Sequence, residues 1–260
     1  MAIQGYYTVE VAKEGKLGWI TLNRPDKLNA LNRAMLNELL KALSEMRDSP
    51  DVKIVVITGR GKAFSAGIDL KELASSSSPD EAEELFAKLA EVFEAVMSFP
   101  KPVIIALNGH AYGGGAELLW AADIVVSVKG VKIGWPEARW NLVPPALPFY
   151  GVFSLGPARA AYIALTSGEL TSEEAYKLGL VSVLVDSQEE LVDAVREVAV
   201  RIMANSPDAV SSIKAMLLQA KRSLPVGYGV AELRRLARYK KAIDAARAFA
   251  ERKEMPSYDW

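Results

Sequence analysis

Residues 108–123 read Asn-Gly-His-Ala-Tyr-Gly-Gly-Gly-Ala-Glu-Leu-Leu-Trp-Ala-Ala-Asp, with three consecutive glycines at 113–115. The apolar run at 103–107 before this stretch predicts a buried strand, and the residues after the glycines predict a helix. Glycines at a helix start leave its free backbone N–H groups uncovered by side chains, so that these groups can bind a developing anion. Tight packing of the helix against the strand is the alternative explanation for the glycines.

An alternation of helices and buried strands extends on both sides of this stretch. The period of the apolar residues and short β-branched runs indicate each element. The predicted elements are a β-hairpin at 7–11 and 17–22, a helix at 32–47, a strand at 53–58, a helix at 85–96 and a strand at 124–128, with a surface loop at 75–78.

The last part of the chain is richer in helical signals. Residues 171–174 form a capping box, residues 181–185 predict one more strand, and residues 230–249 predict a final amphipathic helix. We therefore expect an α/β core over residues 1–195, followed by a helical region over residues 196–260.

The composition limits the chemistry of this chain. Its 260 residues include 31 basic and 32 acidic side chains, one His and no Cys. The lack of Cys excludes disulfides, a thiolate nucleophile and Cys-ligated zinc, and a net charge of −1 gives no bulk attraction to nucleic acid or membranes. Since His110 accompanies no Gly-x-Ser-x-Gly, P-loop or His-Glu-x-x-His motif, we expect carboxylates and backbone dipoles to carry the chemistry, with no metal. No secretory signal is recognisable, and a cytoplasmic location is expected.

Two glutamates are the candidate acid and base groups. Glu117 lies one turn into the predicted helix among apolar residues, where burial would raise its pKa toward neutrality. A favourable charge in the first helical turn is its alternative role. Glu137 lies in an aromatic-rich stretch that could place it opposite Glu117, and its alternative role is a surface ion pair with Arg139.

Three further features have weaker signals. Residues 62–70 form a small-residue loop whose backbone N–H groups could reach a ligand, although a plain turn explains the same pattern. His110 follows an Asn-Gly turn signal, and Asp123 lies at the end of the predicted helix. We interpret both side chains as structural.

Taken in order, these motifs resemble those of the crotonase superfamily, the enoyl-CoA hydratase/isomerase family, over nearly the whole chain. The matching segments are Leu22-Asn23-Arg24-Pro25 with Leu28-Asn29-Ala30-Leu31, then 62–70, then 108–123, and then Trp135-Pro136-Glu137. The resemblance implies an α/β fold, a crotonase-type spiral of repeated ββα units with a C-terminal helical extension used for trimerisation.

The resemblance also implies roles for the motif residues. Glu117 and Glu137 match the catalytic pair, and the N–H groups of Ala66 and Gly114 match the oxyanion hole. The implied CoA-binding positions are Arg24, Leu28, Ala30, Lys62, Ala63, Ser65, Ala66, Gly67, Ile68, Asp69, Leu70, Tyr112 and Gly113, with Phe249 and Lys253 reaching CoA in a neighbouring subunit. The acyl pocket is expected to contain Trp135, Pro136, Trp140 and Pro144.

The reaction that this resemblance implies is the reversible hydration of a trans-2-enoyl-CoA, with the CoA thioester as substrate and no cofactor. A double-bond isomerase of the same fold and a non-catalytic acyl-CoA-binding protein are the alternatives. A homo-trimer or homo-hexamer is expected. An apolar stripe near the C-terminus suits such an interface and suits an intramolecular core equally; it comprises Leu233, Leu236, Tyr239, Ile243 and Ala246.

One segment departs from the pattern of the family's hydratases. Residues 141–148 read Asn-Leu-Val-Pro-Pro-Ala-Leu-Pro, where those enzymes carry a segment of the type Gly-x-x-Pro-Gly-x-Gly-Gly. Pro145 replaces a glycine whose N–H helps to hold the catalytic water in the family, and a proline has no N–H. The departure indicates a reshaped acyl pocket, an isomerase that moves a proton without water, or another reaction of the family.

Overall fold

Two β-sheets and a set of surrounding helices form the structure, a computed structural model that describes residues 2–3, 5–253 and 258. The strands are β1 (Ala2–Ile3), β2 (Val9–Glu14), β3 (Leu17–Leu22), β4 (Ile54–Gly59), β5 (Ala63–Ser65), β6 (Val103–Leu107), β7 (His110–Tyr112), β8 (Ile124–Val128), β9 (Lys132–Gly134), β10 (Glu169–Thr171) and β11 (Val183–Val185). The helices are α1 (Arg33–Asp48), α2 (Leu70–Ala74), α3 (Pro79–Met97), α4 (Gly114–Ala121), α5 (Val152–Ser154), α6 (Pro157–Thr166), α7 (Ser172–Lys177), α8 (Gln188–Met203), α9 (Pro207–Arg222), α10 (Val226–Ala237) and α11 (Lys240–Ala250).

Successive strand pairs contribute one strand to each sheet. The large sheet has the order β1-β2-β3-β4-β6-β8-β11, and the small sheet has the order β10-β9-β7-β5. The first members of the pairs, β4, β6 and β8, are parallel neighbours in the large sheet, and the second members, β5, β7 and β9, are parallel neighbours in the small one. This repeat, with helices between the pairs, is the ββα spiral that the family resemblance implies.

The central strands β4 and β6 of the large sheet are buried along nearly their whole length, which explains their continuous apolar sequences. All five residues of β6 are buried, and so are five of the six residues of β4. A parallel sheet that is covered by helices on both sides requires such runs of Val and Ile rather than strict alternation. The sheet therefore forms a rigid base, and the loops after its strands are fixed at one edge.

Two long helices pack beside these loops. The side chain of Asn32 accepts a hydrogen bond from the Met35 N–H at the start of α1, at 3.0 Å, and Ser78 caps α3, which begins with Pro79. The helix α3 packs against α1, α4 and α10, so that one helix connects the core with the C-terminal region.

The predicted hairpin, the strands at 103–107 and 124–128 and the capping box at Thr171 are confirmed. The prediction of a single final helix at 230–249 is wrong. The chain forms α10 and α11 instead, with an extended residue, Tyr239, between them. The turn lets α10 pack against α3 while α11 packs against α2, which one straight helix could not do.

The apolar stripe in this region serves the chain's own core. Leu233, Ile243 and Ala246 are buried within the chain, whereas Tyr239 is exposed. Among the described residues, no helix is long and apolar enough to cross a membrane.

Candidate functional site

The glycines at 113–115 form the start of α4, as predicted. Gly113 caps the helix with φ +51° and ψ −127°, a conformation in which a side chain would be strained. A Cβ on Gly113 would lie 3.5 Å from Oε1 of Glu137, so this position faces the second glutamate. Glu117 follows in the first turn of α4 and is only 2% exposed. The helix start therefore carries the first glutamate into the interior and approaches the second.

The carboxylate of Glu117 is held by two backbone donors from a distant loop. The N–H of Ala146 donates to Oε2, and the N–H of Leu147 donates to Oε1 at 3.3 Å. Burial raises the pKa of Glu117 to about 8, and these two donors offset part of that rise because they favour the charged form. The indole N–H of Trp135 faces the same carboxylate and also lowers this pKa, although it makes no hydrogen bond among the described residues. Glu117 is thus a group that can exchange a proton near neutral pH.

Glu137 has a different environment. It begins a 3-10 turn, Glu137–Trp140, and is 8% exposed, and its Oε2 has no hydrogen-bond partner among the described residues. Burial, followed by the charge of Glu117, raises the pKa of Glu137 well above its usual value. The alternative surface ion pair with Arg139 is therefore wrong, because the carboxyl group is buried and protonation is favoured.

Both glutamates line one small cavity, of about 60 Å³. The wall is otherwise apolar apart from backbone groups, and its side chains come from the 66–70 loop, α3, the 136–145 loop and α10. A second cavity of about 20 Å³ lies beside it and shares Glu117, Leu89 and Leu233. The second cavity is closed by Phe93, Val226 and Val230, so the far end of the site is narrow and mostly apolar.

Two backbone N–H groups at this cavity have no partner among the described residues. One is the N–H of Gly114, the first residue of α4, and the other is the N–H of Ile68. The two peptides are neighbours, since a Cβ on Gly67 would lie 3.1 Å from the Gly114 nitrogen. Ala66, which the resemblance implied as a donor, gives its N–H to the Leu28 carbonyl at 2.9 Å. Ile68 is therefore the better candidate for the second oxyanion donor, and Ala66 only lines the cavity.

Several of the other residues implied for CoA binding already have structural partners. Arg24 pairs with Asp69 at 2.9 Å and donates to the Ala30 carbonyl at 2.6 Å. Ser65 is buried and donates to the Asn29 carbonyl. These contacts shape the 24–31 and 62–70 loops and leave Leu28, which is 50% exposed, and Lys62 at the surface.

The expected acyl-pocket residues divide into two groups. Pro136 and Trp140 line the cavity that contains both glutamates. Trp135 is fully buried beside Trp120, with tilted rings whose centroids are 6.2 Å apart, and Pro144 is buried outside the cavity lining. Periodicity alone assigns the side chains at the closed end, such as Leu89 and Leu233, to the hydrophobic core, so no sequence pattern marks them as pocket residues.

The C-terminal positions lie near the site of their own chain. Phe249 contacts Trp140 edge-on, with ring centroids 5.3 Å apart, and Lys253 is exposed and pairs with Glu251 at 2.5 Å. Tyr112 lies at the other side of Gly134, where its hydroxyl donates to Glu169 at 3.0 Å. The contact of Phe249 and Lys253 with CoA in a neighbouring subunit stays a prediction.

Lys214, which is buried, and Lys221, which is half-buried, fix the far end of α4. Lys221 donates to the carbonyls of Trp120, Ala121 and Ala122, and burial lowers its pKa to about 8. Lys214 pairs with Asp123, which also accepts a hydrogen bond from the Val103 N–H. Cations at a helix C-terminus complement its free carbonyls, so these contacts hold the helix that carries Glu117.

The two side chains interpreted as structural have structural contacts. Asp123 pairs with Lys214 and accepts a hydrogen bond from the Val103 N–H. His110 lies at the surface and accepts a hydrogen bond from the Lys132 N–H at 3.0 Å. Within the described part of the chain, no three His, Asp or Glu side chains are grouped as metal ligands would be. A cleft of about 500 Å³ beneath α9 lies at the Lys221 end of α4 and contains neither glutamate.

Comparisons with known proteins agree with this geometry. A family model described as enoyl-CoA hydratase/isomerase matches residues 12–257. A carnitinyl-CoA dehydratase from Salmonella paratyphi A is 34% identical over 262 residues, which cover 95% of this chain and 97% of the relative. Two solved structures are similar. An enoyl-CoA hydratase/isomerase from Xanthobacter autotrophicus Py2 has a TM-score of 0.86 and 25% identity, covering 95% of this chain and 94% of that one. An enoyl-CoA hydratase from Bacillus anthracis has a TM-score of 0.78 and 28% identity, covering 97% and 99%.

Proposed function

Because the chain belongs to the enoyl-CoA hydratase/isomerase family, we propose that it catalyses the reversible hydration of a short trans-2-enoyl-CoA to the 3-hydroxyacyl-CoA. The observation that carries this proposal is the shared cavity, in which two buried glutamates lie beside two unpartnered N–H groups. A hydratase needs both parts, because one water must be divided between two carbon atoms while negative charge develops on the thioester oxygen.

The thioester carbonyl binds between the N–H groups of Ile68 and Gly114 in this proposal. The positive end of the α4 dipole adds to the effect of these N–H groups, because the dipole and the N–H groups act on the same oxygen, where the enolate charge develops. Preorganised donors of this kind stabilise the transition state more than the ground state, and one donor is worth about 10²–10³-fold in rate.

The two glutamates move the protons. One ionised carboxylate takes a proton from water as the hydroxyl oxygen bonds to Cβ, and the protonated partner gives its proton to Cα, so that one water is added overall. The pair titrates as a unit, but the two N–H donors at Glu117 favour charge there, and the unpartnered Oε2 of Glu137 favours the acid form. We therefore propose that Glu117 is the ionised member in the resting pair.

Pro145 does not prevent this mechanism. The two residues that follow it, Ala146 and Leu147, provide N–H groups to the site, although they bind Glu117. Water is held by the two glutamates in this arrangement, without a donor at position 145.

The chain's similarity to a carnitinyl-CoA dehydratase concerns the same chemistry in reverse, because dehydration of a 3-hydroxyacyl thioester uses the same acid and base. Among the described residues, the lining offers a cationic chain no acidic group other than the proposed catalytic pair. Recognition of quaternary ammonium usually involves a cage of aromatic faces, whereas the closed end is formed mainly by Leu and Val. These observations support an uncharged, short acyl chain.

The test uses purified protein with crotonyl-CoA and follows loss of the conjugated thioester and the product mass. We expect the gain of one water, with about 10²–10⁴-fold lower kcat in both Glu117→Gln and Glu137→Gln. An isomerase would leave crotonyl-CoA unchanged in mass and would convert a 3-enoyl-CoA with dependence on one glutamate. A non-catalytic protein would bind the thioester equally well in both variants and turn nothing over. Either result would overturn the hydratase proposal.

A homo-trimer or homo-hexamer in the cytoplasm completes the proposal. Exposed apolar side chains on α5, α6 and α9 support self-association, and they include Phe153, Leu165 and Met216. Light scattering at two protein concentrations distinguishes a trimer or hexamer from a monomer.

A further inference from the structure

The helix α10 packs directly against the loop that holds Glu117, and Gly229 is the point of contact. A Cβ on Gly229 would overlap the Pro145 carbonyl oxygen and would lie 3.0 Å from Cε2 of Phe149. Gly229 is buried, and it lies in the interior of a helix, where glycine costs about 1 kcal/mol relative to alanine. The close approach explains why a residue so unfavourable for the helix is present.

This contact lies on the same peptide group that binds the catalytic glutamate. The Pro145 carbonyl and the Ala146 N–H belong to one planar trans unit, whose oxygen and N–H point in opposite directions. The oxygen faces Gly229, and the N–H donates to Oε2 of Glu117. A displacement of the carbonyl oxygen must therefore tilt or move the N–H away from the carboxylate.

The loop has little freedom to absorb such a displacement. Pro144, Pro145 and Pro148 fix three φ angles within five residues, and Leu147 supplies the second donor to Glu117 from inside this segment. A displacement of residue 145 therefore moves both N–H donors, because the backbone of this segment cannot adjust to absorb it.

We propose that Gly229 is a positioning residue for Glu117. The missing side chain lets α10 seat the 145–147 segment so that both N–H groups reach the carboxylate, and α10 thereby sets the ionisation and orientation of the catalytic pair. The inference rests on the proposed hydratase function. Gly229 lies outside the cavity lining, and the inference gives it a specific effect on Glu117.

A matched pair of variants tests this inference. Gly229→Ala adds one methyl group at the contact, whereas Gly227→Ala adds the same group on the same helix at a position with nothing within 4 Å. Both changes favour the helix equally. For Gly229→Ala we expect kcat for crotonyl-CoA to fall on the order of 10²-fold, with a KM close to that of the wild type, because CoA binds elsewhere. For Gly227→Ala we expect wild-type kinetics.

The pH profile separates positioning from general damage. Loss of the two N–H donors removes interactions that lower the pKa of Glu117, so the rising limb of kcat/KM against pH should move to higher pH in Gly229→Ala only. The other groups that act on Glu117 are Glu137 and the Trp135 N–H, with Tyr150 nearby, and both variants retain them. A lower kcat with an unmoved limb, or equal behaviour of the two variants, would overturn the inference.

A third variant decides the case if Gly229→Ala does not fold. Pro148 is exposed, and Pro148→Ala loosens the segment without a clash. A smaller decrease in kcat with the same direction of pH shift supports the inference, and an unchanged profile overturns it. If the wild-type enzyme hydrates no enoyl-CoA, the proposed function itself fails and the inference with it. A wild-type-like Gly229→Ala in an active enzyme contradicts this inference alone.

Discussion

The two walls of the cavity are built in opposite ways. The glycine wall, residues 66–68 and 113–117, is formed by short turns fixed to parallel strands, and its functional groups are backbone N–H groups and Glu117. The loop wall, residues 135–147, contains a 3-10 turn and a proline-rich stretch, and its functional groups are Glu137 and the two N–H donors to Glu117. The glycine wall is fixed to the sheets, whereas the loop wall packs against helices, among them α6, α10 and α11.

This difference indicates where the site can vary. The glycine wall can change little, because its peptides lie within contact distance of one another. The loop wall is supported by side chains and by a C-terminal helix, so its shape follows whatever packs on it. Four predictions test this comparison.

The largest effect is expected from Gly67→Ala in the glycine wall. Gly67 has φ +84°, and a Cβ would lie 2.6 Å from the Tyr112 carbonyl oxygen. We expect kcat to fall about 10²–10³-fold, because relief of the clash moves the Ile68 and Gly114 donors. The matched control is Gly130→Ala, with φ +74° and no atom within 4 Å. It carries the strain of positive φ without the clash and should retain its kcat. Equal losses in both variants would show that conformational strain, not donor position, is responsible.

The second prediction concerns pH. Because Glu117 must be ionised while Glu137 stays protonated, kcat/KM should rise about tenfold per pH unit below a pKa near 8 and fall again at higher pH, as Glu137 loses its proton. Initial rates with crotonyl-CoA between pH 5 and about pH 10 measure both limbs. A flat profile over this range would contradict the assignment of roles to the pair.

The third prediction compares the stability of the two glutamine variants. For a carboxyl group whose folded pKa is raised, the stability contribution is complete below the unfolded pKa and is lost as the pH rises through the folded pKa. Glu137→Gln cannot ionise, so its melting temperature should exceed that of the wild type increasingly above about pH 5 and most at about pH 9. The unpartnered Oε2 means that the amide loses no hydrogen bond there.

Glu117→Gln should behave differently at acid pH. An amide presents only one oxygen to the N–H groups of Ala146 and Leu147, and its NH₂ must face the other donor. At about pH 5 the wild-type carboxyl is protonated, but its hydroxyl oxygen can still accept a hydrogen bond, which an amide NH₂ cannot do. The unpaired buried donor costs about 1–3 kcal/mol, so this variant should melt below the wild type at about pH 5. Thermal melts of the three proteins at both pH values measure these differences. If the two variants melt alike at both pH values, the proposed difference between the environments of Glu117 and Glu137 is contradicted.

The smallest effect is expected at the closed end of the cavity. Leu233 lines both cavities, and Leu233→Ala should raise kcat/KM for 2-hexenoyl-CoA relative to crotonyl-CoA by about tenfold, the value of one to two methylene groups. Leu236→Ala is the control, since Leu236 is partly buried but lines neither cavity. An unchanged ratio in Leu233→Ala would place the end of the acyl chain elsewhere.

The sequence predicts the glycine wall well for a physical reason. The strand 103–107, the three glycines and Glu117 are adjacent in sequence, so that local period and backbone freedom determine their arrangement. The choice between Ala66 and Ile68 as donor could not be made in this way. It depends on whether the Leu28 carbonyl is close enough to take the Ala66 N–H, which is a property of the folded chain.

The loop wall has no comparable local signal. Three prolines interrupt any period between 144 and 148, and the partner of the Ala146 N–H is Glu117, on a different element. The approach of Gly229 to Pro145 joins two parts of the chain that share no pattern. Sequence order placed Glu137 correctly opposite Glu117, but the state of each carboxyl group depends on burial and on partners that only the structure provides.

The contact between α10 and the Pro145 peptide has a consequence for synthesis. The sheets, the glycine start of α4 and both glutamates leave the ribosome well before α10 does, and a chain emerging N-terminus first cannot make the Gly229 contact until that helix is complete. A partly synthesised chain can thus hold both carboxyl groups of the proposed catalytic pair while the loop that binds one of them is unsupported. Activity should then arise late in biogenesis, after the core has folded, as α10 docks.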